Sequence, residues 1–217
     1  MTWLRSAFQV ELDGVTNTLV ELTTLVSEAM SEATAALLTA DLRKAEEVIA
    51  SDDRIDQIQH ELDARVIDII ARQQPVASDL RALITALRMS ADLERMGDMA
   101  HHIANITRLR HPEPTIPLEL APTIEEMGRV ASLIAGKTGA VINSRDLDKA
   151  LEVDRDDDEM DRLHRLLFTT LLDPNWTHGI ESAIDITLIG RYYERYADHA
   201  VSVARRVYFL VTGKFSN

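Results

Sequence analysis

The sequence predicts an all-α protein of six helices, built as two tandem three-helix bundles related by internal duplication. Three observations carry that expectation. No stretch alternates apolar and polar residues convincingly, so no sheet is indicated. Six prolines and eight glycines in 217 residues are few, and they cluster at a handful of breaks. The two sides of the densest break repeat each other residue by residue.

That break is His111-Pro112-Glu113-Pro114-Thr115-Ile116-Pro117, where prolines are too dense for a helix to continue. It divides the chain into a first unit at 1–110 and a second at 118–217, with 111–117 as linker. Gln73-Gln74-Pro75 interrupts the first unit and Asp173-Pro174-Asn175-Trp176 the second. Asp41 and Asp146 stand where a capping carboxylate opens a helix after a short turn. The spacing therefore predicts helices at about 3–38, 42–72, 78–109, 118–143, 147–171 and 180–212.

The duplication is explicit. Asp41-Leu42-Arg43-Lys44-Ala45 aligns with Asp146-Leu147-Asp148-Lys149-Ala150. Without a gap, Asp52, Asp53 and Asp56 then fall on Asp157, Asp158 and Asp161, an offset of 105. Glu94-Arg95 and Asp98 fall on Glu194-Arg195 and Asp198, an offset of 100. A net loss of five residues near the fifth helix accounts for the change. A fixed period this long points to duplication of a whole helical unit.

The repeated residues are acids spaced four apart, which places each pair on one helix face. The second helix carries Ala45, Val48, Ile55, Leu62, Val66 and Ile69 in steps of three and four, and Asp52 fills one of the gaps in that series. In the third helix the stripe Leu80, Leu83, Leu87 and Ala91 runs into Glu94 and Asp98. If these helices form an antiparallel hairpin at Pro75, Asp56 and Glu94 each lie 19 residues from it, and Asp52 and Asp98 each lie 23. The four acids then meet about 28 Å or more from the turn, at ~1.5 Å per residue. A turn near Thr177 matches Asp161 to Glu194 in the same way.

Clustered carboxylates are unfavourable unless a cation sits among them. Two metal sites are thus expected. Asp52, Asp56, Glu94 and Asp98 form the first, and Asp157, Asp161, Glu194 and Asp198 the second. Asp53 and Asp158 are additional candidates. All-oxygen ligands suit divalent or trivalent ions such as Mg²⁺, Mn²⁺ or iron, and several carboxylates can bridge more than one ion. A competing reading pairs the acids with Arg95 and Arg195 as salt bridges in a metal-free helical adaptor. Another takes Asp98-x-x-His101 as a relative of the Glu-x-x-His of ferritin-like di-metal oxidoreductases. The counterpart in the second unit, Asp198 to Val201, lacks that nitrogen. His60 and His164 read as surface or capping residues.

Composition narrows the classes further. A formal net charge of −13 argues against nucleic-acid binding through the general field. It leaves cations and basic protein surfaces as partners. The absence of cysteine excludes disulfides, thiolate zinc sites and cysteine nucleophiles. The N-terminal residues lack the apolar core of a signal peptide, and no apolar run approaches the roughly 20 residues that span a bilayer. The expectation is a cytoplasmic protein without membrane insertion. No nucleophile–base pair, phosphate-cradling glycine loop or basic groove is expected, so the protein itself is not expected to bind phosphate directly.

Several segments carry a family resemblance. They are Gln73-Gln74-Pro75-Val76-Ala77-Ser78-Asp79-Leu80-Arg81, Asp92-Leu93-Glu94-Arg95-Met96-Gly97-Asp98-Met99-Ala100, Tyr193-Glu194-Arg195-Tyr196-Ala197-Asp198-His199-Ala200 and Val207-Tyr208-Phe209-Leu210-Val211-Thr212-Gly213. They resemble the PhoU family of bacterial phosphate-signalling regulators, over nearly the whole chain. The resemblance implies two three-helix bundles, each with a multinuclear metal site held by the acidic motifs. It implies negative regulation of the phosphate-starvation response, through contacts with a sensor histidine kinase and the phosphate ABC transporter ATPase, and no catalytic activity, so the chain is read as a non-enzyme. A homodimer is also expected. The sequence departs from the family at His102 and Ser202, at Arg205 and Arg206, and at Tyr192 and Tyr193. None of these is among the eight proposed ligands.

Overall fold

The computed structural model describes residues 2–214, with side chains from residue 8 onward. The helices are α1 (Thr2–Thr39), α2 (Leu42–Gln73), α3 (Ala77–Arg110), α4 (Ala121–Ser144), α5 (Leu147–Leu171) and α6 (Gly179–Thr212). No strand occurs among the described residues. One boundary differs from the expectation. Leu118–Leu120 form a single 3₁₀ turn, and α4 begins only at Ala121. Pro122 falls at the start of α4, where its missing N–H costs nothing and its fixed φ favours helix.

The starts of α2 and α5 follow from their caps. The Asp41 carboxylate accepts the Lys44 N–H at 3.0 Å. Asp146 accepts the N–H groups of Asp148 and Lys149 at 3.0 and 3.2 Å. Each satisfies donors that the first helical turn would otherwise leave open. Gln74 and Arg145 close α2 and α4 in left-handed conformation, at φ 44° and 54°, without the glycine such a position favours.

Within each half the three helices pack against one another: α1, α2 and α3 in the first, α4, α5 and α6 in the second. The halves join through two long seams, α1 on α4 and α3 on α6. Four helices therefore form the centre, and α2 and α5 lie outside, each held mainly by its own half. The apolar core runs without interruption through both halves. Glycine sets the α1–α4 approach. A Cβ on Gly128 would meet Thr34 Cγ2 at 2.5 Å, and one on Gly139 would meet Thr23 Oγ1 at 2.5 Å. These contacts show the two helices running antiparallel, with a threonine side chain filling the space each glycine leaves.

Second-half side chains also reach the first helix. Tyr193 and Tyr196 of α6 are fully buried. The Tyr193 hydroxyl pairs with the Thr34 hydroxyl at 2.6 Å, and the Tyr196 hydroxyl donates to the Val26 carbonyl at 3.1 Å. Burial raises both phenol pKa values, so both hydroxyls stay protonated.

The α3 stripe read from the sequence needs correction. Leu80 and Ala91 are exposed and Leu87 is half-buried. The inward residues are Leu83, Ala86, Met89, Leu93 and Met96, among others. This helix touches α1, α2 and α6 at once, so most of its circumference is covered and a single stripe does not describe it. For α2, packed on one side only, the buried set is the six residues the spacing selects.

Candidate metal centres

Antiparallel pairing of α2 with α3, and of α5 with α6, brings the acids to matched levels. A Cβ on Gly97 would lie 3.2 Å from Asp52 Oδ1, and Ser90 donates to Asp63 Oδ1 at 2.9 Å. Both contacts fit the register of a hairpin centred on Pro75. In the second half a Cβ on Gly190 would meet Leu167 Cδ1 at 2.9 Å and His164 Cδ2 at 3.1 Å, the register of a turn near Thr177.

The eight acids lie at the rims of these seams rather than inside the core. Asp198 is exposed and the other seven are partly buried. The reason lies in their neighbours. Ile55, Leu93, Met96 and Ala100 occupy the seam itself and leave the carboxylates the solvent-facing edge. Asp53 and Asp158 are exposed on the outer faces of α2 and α5.

Electrostatics ties each set of four together. Burial raises the Asp52 pKa, against the hydrogen bond from His101, and Asp56 and Asp98 push it further up. Glu94 is raised by burial, then by Asp98, with Asp56 and Asp52 adding. In the second half burial lifts Asp157 to about 7, and Asp161, Asp198, Asp154 and Glu194 contribute. Glu194 is raised by burial and by Asp198. Asp52, Glu94, Asp157 and Glu194 thus each feel other acids of their own set.

Local cations take up part of this charge. Arg95 Nη1 donates to Asp98 Oδ2 at 2.5 Å, and Arg95 Nε lies 3.5 Å from Glu94 Oε2. Arg191 pairs with Glu194. The expectation of a pairing role thus holds for Arg95, while in the second site Arg191 takes the part assigned to Arg195. His101 Nδ1 lies 2.7 Å from Asp52 Oδ2 and links α3 to α2. Among the described residues no three acids or imidazoles already enclose a single point.

The donor set nevertheless fits a hard cation. Asp56 Oδ1 and Asp157 Oδ1 are buried and have no hydrogen-bond partner. A buried carboxylate oxygen without a donor is costly, and a cation among four carboxylates would satisfy it. His164, read as a surface residue, is instead half-buried against Phe168 beside the second site, with a buried and unpaired Nε2. Burial holds its pKa down, with help from Arg191.

One polar cluster escaped the sequence reading. Asp92 of α3 receives Arg206 Nε at 2.7 Å and lies 3.2 Å from His199 Nδ1, both on α6. Burial works to raise Asp92, but these two partners hold its pKa below the ordinary value. The signal was an asymmetry between the repeats: Asp92, His199 and Arg206 align with Tyr192, Met99 and Ile106.

The repeat is visible in comparisons as well. The sequence model of the PhoU domain matches twice, at residues 19–107 and 124–207. The chain belongs to the PhoU family. It is 45% identical over 212 residues to the "Phosphate-specific transport system accessory protein PhoU homolog 2" of Mycobacterium tuberculosis, covering 98% of this chain and all of that one. It is 31% identical to the PhoU homolog of Rhizobium meliloti, over 97% of this chain and 89% of the other. The crystal structure of the phosphate transport system regulatory protein PhoU from Streptococcus pneumoniae superposes with a TM-score of 0.87 at 26% identity, covering 97% of this chain and 99% of that one. PhoU from Pseudomonas aeruginosa gives 0.83 at 30% identity, over 95% and 100% of the two chains. These relatives carry the names of accessory and regulatory proteins, not of enzymes. No described helix of this PhoU-family chain is long and apolar enough to cross a membrane.

Proposed function

We propose that this chain is a cytoplasmic, metal-binding accessory protein of the phosphate transport system that represses the phosphate-starvation response. It works by contact with a sensor histidine kinase and with the phosphate ABC transporter ATPase, and acts as a homodimer. The observation that carries the reading is the recurrence of four coupled carboxylates in both halves of a PhoU-family chain. Asp52, Asp56, Glu94 and Asp98 would hold cations in the first half, and Asp157, Asp161, Glu194 and Asp198 in the second. Iron, Mn²⁺ or Mg²⁺ suits an all-oxygen set, and the bridging capacity of carboxylates allows more than one ion per site. A bound cation would supply charge neutralisation and pin α2 to α3 and α5 to α6. The chain's own residues do the rest: His101 orients Asp52, and Arg95 and Arg191 offset excess negative charge. The division at 111–117 is proposed as the boundary between the two repeated units.

Deleting the gene tests the regulatory part. Phosphate-starvation genes should be expressed in phosphate-rich medium. Normal repression, in a genome without a second copy, would defeat the reading and favour a ferritin-like oxidoreductase. Metal analysis of the protein purified without a histidine tag tests the cation part. A protein without metal that still represses would be the helical adaptor.

A further inference from the structure

The sequence offers no run of basic residues, so no basic groove is expected from it. Folding builds one. Between the start of α3 and the end of α6 lies a groove of about 510 Å³. Leu80, Ile84 and Phe209 form its apolar floor, and Arg81, Arg88, Arg205 and Arg206 line it. Four guanidinium groups in one place stand out on a chain of net charge −13.

The arginines are not equivalent. Arg206 is engaged by Asp92 and Arg205 by Asp154. Arg81 lies over the Phe209 ring at 5.6 Å, and among the described residues neither Arg81 nor exposed Arg88 has a carboxylate partner. Two available cations thus stand seven residues apart on one helix, about 10 Å along its axis. That spacing is too long for one oxyanion to bridge. It matches carboxylates two turns apart on a facing helix. The α3 lining residues, from Ala77 to Arg88, follow one helical stripe of about three turns. Antiparallel α3 and α6 flank it as rails.

We infer that this groove docks an acidic amphipathic helix of a partner protein. The apolar face of that helix rests on Leu80, Ile84 and Phe209, and its carboxylates meet Arg81 and Arg88. This is helix-in-groove recognition, read through anchors spaced three, four and seven apart. The duplication supplies an internal contrast. At the offset of 100, the floor residues Leu80, Ile84 and Phe209 become Ile180, Ile184 and Leu109, which stay apolar. Arg81 becomes Glu181 and Arg88 becomes Leu188. The two halves kept the rails and changed the charge, so only one face selects an acidic helix. The inference rests on the reading that the chain works through protein contacts. Its test uses neither bound metal nor phosphate repression, so the two fail separately.

The test is fluorescence anisotropy on the full chain. The probe is a labelled helical peptide of about 14 residues, roughly four turns, with leucines on one face flanked by glutamates. Its counterpart carries lysine in place of glutamate. The acidic peptide should bind, more weakly as salt rises, and the lysine peptide should not. The double variant Arg81→Glu/Arg88→Glu should lose about tenfold or more of that affinity, a ~1.4 kcal/mol effect at least, with unchanged melting temperature. Ile84→Ser should weaken binding and Ile184→Ser should not. Equal binding of both peptides, or none of either, would overturn the inference. So would displacement by inorganic phosphate beyond that produced by chloride at equal ionic strength, which would make this an oxyanion site. Self-association of the chain abolished by the double variant would assign the groove to a second copy instead, and would also overturn it.

Discussion

Asp52 and Asp157 are the same position in two copies of one helix, and they are held differently. Asp52 has His101 beside it at 2.7 Å. The residue aligned with His101 is Val201, which is buried and apolar. Asp157 therefore keeps an unpaired buried oxygen and a pKa near 7. Arg95 touches both Glu94 and Asp98, whereas Arg191 reaches Glu194 and Asp198 makes no ion pair among the described residues. Both sites keep one orphaned oxygen and raised acids, and Arg165 lies 3.9 Å from Asp161 in the second, but the strongest rise falls on Asp157. The lesson is that duplicated acids do not make equivalent sites, because the neighbours diverged. A cation should add more stability at the second.

The largest expected effect separates the two sites. Glu94→Ala/Asp98→Ala should remove the metal of the first site and spare the second, and Glu194→Ala/Asp198→Ala should do the reverse. Elemental analysis of the purified variants checks this. Unchanged stoichiometry in either would break the comparison.

Next comes the chelator. A ligand at a hundred times its Kd stabilises by about 2.7 kcal/mol, roughly 5–10 °C for a chain of this size. Scanning calorimetry with and without EDTA at neutral pH should show a drop of that order. Removing the second site's ligands should shrink the drop more than removing the first's. On acidification the gap should close, because protonated carboxylates release metal.

A smaller effect sharpens the contrast through protons. The folded-state pKa of Asp157 is raised, so between about pH 4 and 7 the folded protein binds the extra proton. Its contribution to apo stability is therefore lost as pH rises through that window. Asp157→Asn, measured in EDTA, should match the parent near pH 4 and exceed it increasingly towards pH 7.5. Asp92, with its lowered pKa, acts in the opposite sense and only below the ordinary carboxylate range. A constant difference between variant and parent would show that Asp157 is not strained.

The smallest effect concerns Gly97, aligned with Ala197 in the second site. Its new Cβ would stand 3.1 Å from Ile55 Cδ1 and 3.2 Å from Asp52 Oδ1. Gly97→Ala gains about 1 kcal/mol of helix propensity and gives some back to that crowding. Chemical denaturation should find a net change below ~1 kcal/mol, while metal affinity at the first site falls as Asp52 is displaced. An unchanged affinity would show that Asp52 is not a ligand.

Much of this was legible in the sequence for physical reasons. Prolines and capping aspartates mark helix ends locally, so five of the six helices begin and end within about two residues of expectation. The register of the acids followed from counting outward from two turns. Burial around α3 was not legible, because a helix covered on three sides has no single apolar stripe. The His101–Asp52 and Asp92–Arg206 contacts needed the third dimension, since they join residues 49 and 114 positions apart. The arginine groove draws on two helices over 100 residues apart in sequence, so neither segment alone looks basic.

The buried tyrosines also set a schedule. Thr34 and the Val26 carbonyl on α1 wait for partners 159 and 170 residues downstream. At 5–20 residues per second of synthesis, that is a delay of roughly 8–34 s. Throughout it α2, α3 and then α4 can cover α1, but the places that α6 will take at Thr34 and Val26 stay open. Of the described helices, α1 is thus completed only by the last, and its tyrosine-facing side is the part left open to chaperones while the chain is being made.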